Sequence, residues 1–422
     1  MMKGDLKAKK SGKERSYSLS RVAWQRLRRN KLSMTGLFII VVAIIISMLG
    51  YLITPDSSPD TDIQIHQLAI QKPGFTCDIL YERKNEESHK TNFFNKMIWG
   101  EQSDYKLIPV YGYYFEDNDI VVEEYTATTP NNGTTLHLNL ADVAYAIDPT
   151  FPVVNDVQNG VMEFYAFGSK TKIRKTRKEL QAEVKLNLKK KKFVLGTDRQ
   201  GRDMLSRLMI GTRISLFVGL VSVLISVVIG IFMGALSGFF RGWVDDFIMW
   251  LINVVWSIPT LLLVIAITLV LGKGIIQVFI AVGLTMWVET ARVVRGQILS
   301  VREKEYIEAG RSLGFGNMRL IFRHVLPNVM GPVVVISAMN FANAILIEAG
   351  LSFLGIGAQP PTPSWGAMIN DHRGYILVDA AYLAIVPGLA IMLIVLAFMF
   401  LGNGLRDAID SKMSDEDAIM GT

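Results

Sequence analysis

RISLFVGLVSVLISVVIGIFMGALSG, residues 213–238, is an apolar run that carries no charge after Arg213. Only a helix satisfies its own backbone in lipid without closing a barrel. About 20 residues at about 1.5 Å each cover about 30 Å of hydrocarbon. Five further, predominantly apolar runs occupy 35–53, 245–271, 275–296, 328–350 and 380–402. They lack the alternation of barrel strands. The pattern predicts an all-α polytopic membrane protein with six transmembrane helices. Composition agrees: half of the residues are hydrophobic and mean hydropathy is +0.31. The apolar residues gather in runs between charged stretches, unlike a large soluble core.

Charge sets the expected orientation. Residues 1–35 hold eleven Lys or Arg against two acids, directly before the first run. That bias marks a cytoplasmic flank and argues against nucleic acid as the reason for the net charge of +6. Thr54-Pro55-Asp56 follows the first run, with no small-residue cleavage pattern, so the run reads as a span and not a signal peptide. The loop between the fourth and fifth spans carries Arg292, Arg295, Arg302, Lys304, Arg311, Arg319 and Arg323. The neighbouring loops carry little positive charge beyond Lys273 and Arg373. The basic loop is therefore expected inside. Both termini, a basic segment 1–34 and a tail 405–422, are expected there with it.

Residues 54–192 then lie outside as an extracytoplasmic insert, long enough for a small domain. DIVVEEYTATT (119–129) and TTLHLNL (134–140) read as strands around a turn at Pro130-Asn131-Asn132-Gly133, and the insert is expected to be mixed α/β. The basic stretch 170–192 has two readings: a solvated, partly helical linker, or a contact with anionic lipid or an acidic partner. Residues 193–212 are expected to form an interfacial helix capped by Thr197 or Asp198, with Met204, Leu205, Leu208 and Met209 on one face. Pro259, Pro332 and Pro387 are expected to kink spans, either as static bends or as elements of a moving path.

The stretch 303–328, EKEYIEAGRSLGFGNMRLIFRHVLPN, reads as two short helices with a break. Tyr306, Gly310 and Leu313 fall on one face. Gly314 and Gly316 stop the first helix, Asn317 caps the second, and Pro327 ends it or opens the next span. The small residues Ala309 and Gly310 suit the close approach of a partner. This elbow resembles the cytoplasmic coupling loop (300–327) of ABC importer permeases. Glu308, Ala309 and Gly310 stand at its Glu-Ala-Ala, Gly314 at its glycine and Leu326-Pro327 at its end. Gly310 replaces the usual Ala. His324 to Asn328 resembles the dipeptide/oligopeptide branch. So do LGTDRQGRDMLSRLMIGTRISL (195–216), LSFLGIGAQPPTPSWGAMIND (351–371) and FLGNGLRDAID (400–410). The insert is longer than that family leads one to expect.

The resemblance implies a permease core over 213–404 in a bacterial plasma membrane. It implies a second, similar permease, two cytoplasmic ATPase subunits that bind ATP and Mg, and an extracytoplasmic peptide-binding protein. The ATPase-coupling residues would be Glu308, Ala309, Gly310, Gly314, Leu326 and Pro327. No Gly-x-x-x-x-Gly-Lys-Ser/Thr occurs in this chain, so no cofactor and no catalysis are expected in it. The lone Cys77 and five scattered histidines make no metal site. Ser257, Thr260, Asn340 and Asn343 are the candidates for a substrate path, and interhelical hydrogen bonding explains them equally well. Glu289, Arg292 and Glu348 are expected near helix ends, at the membrane interface. The motifs do not separate peptides from nickel chelates or glutathione. Two other classes stay open. A proton-coupled carrier would need ionisable residues buried mid-membrane. A membrane receptor would sense through the insert.

Overall fold

Each long apolar run becomes helical, and the boundaries move where polar residues find partners. The computed structural model describes residues 19–409 apart from 89–90, 127–129, 131–132, 157–159 and 170. His89, Asn131 and Asn132, most of the basic N-terminus and the tail beyond Ile409 lie outside the described residues. Helix α1 (Leu19–Arg29) breaks at Asn30, whose side chain accepts from the Ser33 amide at 3.2 Å and opens α2 (Lys31–Ile53).

After α2 the chain leaves the helical pattern and folds into two sheets and short helices. A five-stranded antiparallel sheet runs β4-β3-β2-β1-β8, from β1 (Phe75–Arg83), β2 (Tyr105–Glu116), β3 (Asp119–Glu124), β4 (Thr135–Asn139) and β8 (Leu188–Phe193). A second sheet joins β5 (Val154–Asp156), β6 (Val161–Tyr165) and β7 (Lys172–Thr176). Helices α3 (Phe93–Trp99), α4 (Leu140–Ala144) and α5 (Arg177–Asn187) complete this insert. Leu80, Ile120, Leu140, Phe164 and Leu180 form its core, each at most 1% exposed. The basic stretch is no linker. Its middle is α5, held by a reciprocal cap between Thr176 and Glu179, and its end is β8, paired with β1 from Phe75↔Phe193 to Leu80↔Leu188. Lysines on an edge strand also discourage pairing with another chain. Periodicity misses this strand because charge, not alternation, dominates it.

Residues 193–212 do not form a separate helix. Residues 204–212 are the start of a single helix, α6 (Met204–Phe240), preceded by Asp203. Thr197 and Asp198 cap no helix and instead tie the insert to the bundle. Thr197 Oγ1 donates to Leu68 O and accepts from the Gln71 amide. The fully buried Asp198 accepts from Arg202 Nε at 2.6 Å, and Arg202 Nη1 reaches Asp62 at 2.9 Å. Ser206, Arg207 and Ile210 turn inward with Met204, while Leu208 and Met209 are not fully buried.

The third run also departs from expectation. It is two helices, α7 (Gly242–Trp256) and α8 (Thr260–Leu271), bent by 90° at residues 257–259. Pro259 lacks the amide that would continue the helical ladder. Then follow α9 (Ile275–Arg302), α10 (Glu305–Ser312), α11 (Asn317–Leu320), α12 (Leu326–Phe353), α13 (Trp365–His372) and α14 (Tyr382–Ile409). Pro332 and Pro387 lie inside α12 and α14. Among the described residues five helices are long and apolar enough to cross a membrane, or six with the bent pair as one span.

Helices α6 and α9 make the most intimate pair, through glycines. A Cβ at Gly230 would sit 2.5 Å from Thr290 Cβ, and one at Gly234 would sit 2.5 Å from Ala291 O. Lipid supplies no hydrophobic drive between helices, so close backbone approach carries the packing.

Candidate functional site

The elbow between α9 and α12 is built from its glycines outward. Lys304 enters α10 in extended conformation. The helix ends in a double closure: the Gly314 amide donates to Arg311 O at 2.9 Å and the Phe315 amide to Gly310 O at 3.0 Å. Gly314 has φ +77°, the left-handed turn this closure requires. Gly316 has an ordinary φ of −64° and itself precedes α11, so Asn317 is the first helical residue and not the cap. Nor is the second elbow helix separate: Asn317–Phe353 runs as one span-length helix, loosened to a π-turn at Ile321–Val325. Pro327 follows that turn, and its missing amide explains the local loss of regular pairing.

The inward face of α10 is Ile307 and Gly310, not Tyr306, Gly310 and Leu313. A Cβ on Gly310 would lie 2.9 Å from Leu320 Cδ2, so its smallness serves the elbow's own packing rather than an outside partner. Ile307, Leu320 and Val325 share one apolar cluster with Phe239 of α6, Ile298 of α9 and Val329 of α12. Arg302 Nη1 donates to Phe239 O at 2.8 Å. Arg295 grips Asp245 of α7 with two bonds of 2.7 Å. The elbow is thus welded to the ends of α6, α9 and α12.

Outward, the elbow presents Glu308 and Ala309, with Tyr306, Leu313, Met318 and Phe322 among its exposed large apolar side chains. Sequence reasoning singles out Glu308, Ala309 and Leu313, all exposed, but not the exposed Met318 and Phe322 beside them in the chain. Apolar residues clustered around a turn glycine are the available signal. Leu326 is half-buried and Pro327 exposed at the start of α12.

The four path candidates are not brought together. Ser257 and Thr260 lie exposed at the α7–α8 bend, where Ser257 Oγ donates to Val254 O at 2.7 Å. Asn340 is fully buried and its Nδ2 reaches Thr290 Oγ1 at 3.4 Å, an interhelical contact. Asn343 is half-buried on α12. Glu289 and Arg292 stand farther inside α9 than expected, while Glu348 does lie near the end of α12, which closes at Phe353. Glu348 is 1% exposed and accepts from Ser352 Oγ at 2.7 Å. Arg292 lies within α9, its guanidinium 3.6 Å from the Trp256 ring centroid. Glu289 stands midway along α9 on the bundle surface, with no hydrogen-bond or ion-pair partner among the described residues. Farther along α9, Val293 and Gln297 enter a cleft of about 590 Å³, lined also by Asn328, Pro332, Met339 and Arg406.

Residues 226–415 match the family described as binding-protein-dependent transport system inner membrane component. Residues 18–73 match the N-terminal TM domain of oligopeptide transport permease C. A protein named glutathione transport system permease protein GsiD from Pectobacterium atrosepticum is 45% identical over 219 residues, which is 52% of this chain and 72% of that protein. The protein of that name from Shigella sonnei is 45% identical over 218 residues, 52% of this chain and 72% of its own length. A solved chain described as an inward facing conformation of the MetNI methionine ABC transporter aligns over 49% of this chain and 98% of its own, at 18% identity and TM-score 0.42.

Proposed function

The chain belongs to the inner membrane components of binding-protein-dependent transport systems, and from that premise we propose that it is the permease half of an importer for dipeptides or oligopeptides, driven by partner ATPases through the elbow. Its relatives are named for glutathione, itself a small peptide with an amine and carboxylates, so the substrate class is the same in either case. ATP and Mg belong to the partner subunits, and the chain itself performs no chemistry. The insert lies outside, both termini lie inside, and a binding protein delivers the solute.

One observation carries the coupling role: the elbow and the ends of α6, α9 and α12 share a single apolar cluster. A partner that binds Glu308, Leu313 and Met318 differently in its ATP-bound and ATP-free states biases the helix arrangement by that difference in affinity. The path is assigned to the side of α9 that bears Glu289, Val293 and Gln297. A carboxylate facing lipid at mid-span costs about 2.5–3.5 kcal/mol. A second permease or a watery path removes that cost, and a peptide's ammonium matches the charge.

The test is peptide uptake by the full complex with Leu313→Asp and, separately, Gly314→Val. Both are expected to insert normally, to lose most uptake, and to lose stimulation of ATP hydrolysis by loaded binding protein. Wild-type uptake by Leu313→Asp overturns the coupling role. Competition of uptake by glutathione, dipeptides and longer peptides then ranks the substrates.

A further inference from the structure

We propose that helix α3 of the insert is a foot embedded in the lipid interface at the insert end of α2. Its sequence is FFNKMIW, five of seven residues apolar. In a water-bathed domain these rings would join a core. Here Phe93, Phe94, Ile98 and Trp99 are 61%, 69%, 46% and 72% exposed, and none belongs to the insert's apolar clusters.

The depth of α3 is fixed by Arg213 of α6. Its guanidinium donates to the last carbonyls of α3, Met97 at 2.8 Å and Ile98 at 2.6 Å. The same group donates to Ser47 O at 2.9 Å and Met48 O at 3.4 Å on α2, and lies 5.1 Å from the Tyr51 ring centroid. Helix α2 ends at Ile53. At about 1.5 Å per residue, Ser47 lies about 9 Å inward from that end. An interfacial helix buries its apolar face about 5–10 Å into the boundary between headgroups and acyl chains. The two depths coincide.

The surface is also continuous. Ile45, Met48 and Leu49 of α2 are exposed near this level, on a helix apolar enough to cross a bilayer. Arg213 takes two of the last carbonyls of α3, and Lys96 pairs with Glu101 at 2.5 Å. Apart from Asn95, what remains exposed on α3 is aromatic and aliphatic, the composition found at membrane interfaces. A soluble delivery protein does not reach this depth. Lipid does. The foot also orients the insert, because the end of α3 packs on the segment that follows α2: a Cβ on buried Gly100 would lie 2.7 Å from Ser57 O.

The inference rests on α2 crossing the bilayer, and its test separates the two. Phe94→Cys, Val41→Cys on the exposed face of α2 and Thr135→Cys on β4 are labelled with a fluorescent maleimide in the assembled importer in nanodiscs. Cys77 is buried and its thiol is pushed up to about 11, mainly by burial, so it contributes little background. Nitroxide carried high on the lipid acyl chain and aqueous iodide serve as quenchers. Expected is quenching at 94 at least about 2-fold above that at 135 by the lipid nitroxide, with little effect of iodide. Iodide quenching at 94 equal to that at 135, or shielding at 94 from both quenchers, overturns the foot while quenching at 41 persists. Loss of lipid quenching at 41 instead overturns the membrane reading itself.

Discussion

The bundle and the insert solve the same packing problem with opposite residues. In the insert, large side chains meet: Leu80, Ile120, Phe164 and Leu180 are removed from water in one apolar cluster. In the bundle, helices come close where side chains are missing: Gly230 and Gly234 on α6 let α9 approach to backbone contact. Water drives the first arrangement, since burying apolar surface is favourable only when the alternative is water. Lipid tails offer no such gain, so the second relies on close backbone approach and on polar contacts such as Asn340 to Thr290.

The contrast can be broken most severely at Gly234. A Cβ there meets Ala291 O at 2.5 Å and Val294 Cβ at 2.7 Å, and backbone cannot step aside. Gly234→Val is expected to abolish the monodisperse, membrane-inserted form in detergent chromatography. If the variant elutes and melts like wild type, glycine packing is not what holds α6 to α9.

A smaller effect is expected from Phe164→Ala, at 1% exposure in the insert core. Removing a buried phenyl group costs about 3–5 kcal/mol. Proteolysis within 54–192 should rise steeply while the bundle stays protected. Equal sensitivity of both regions would mean that insert and bundle unfold as one unit.

The smallest effect is expected at Gly310, where the added methyl of Gly310→Ala meets the flexible tip of Leu320 at 2.9 Å. A gain of up to about 1 kcal/mol in helix propensity offsets that contact. Near-wild-type uptake is the expected result. A large loss would show that the elbow core has no slack.

Legibility varies along the elbow. The turn at Gly314 is readable because one residue type dominates left-handed turns, and its φ of +77° follows from that chemistry. The inward face is misread by one position, with Tyr306 placed where Ile307 lies. A helix of eight residues holds too few turns for periodicity to choose between neighbours. Asn317 has the chemistry of a cap, yet Gly316 takes that place, because the turn at Gly314 already fixes where the chain re-enters a helix.

The amino-acid sequence by itself determined the membrane class, because long apolar runs must become helices in lipid, and it marked the elbow, because turn glycines and proline act locally. Only the tertiary structure decided that the lysines at 189–192 close a sheet within β8, that Thr197 and Asp198 hold the insert instead of capping a helix, and that the third run bends by 90°. The first two depend on partners distant in the chain, Phe75 to Leu80 for β8 and Leu68 for Thr197, and a hydrogen bond across such a distance leaves no local pattern to read.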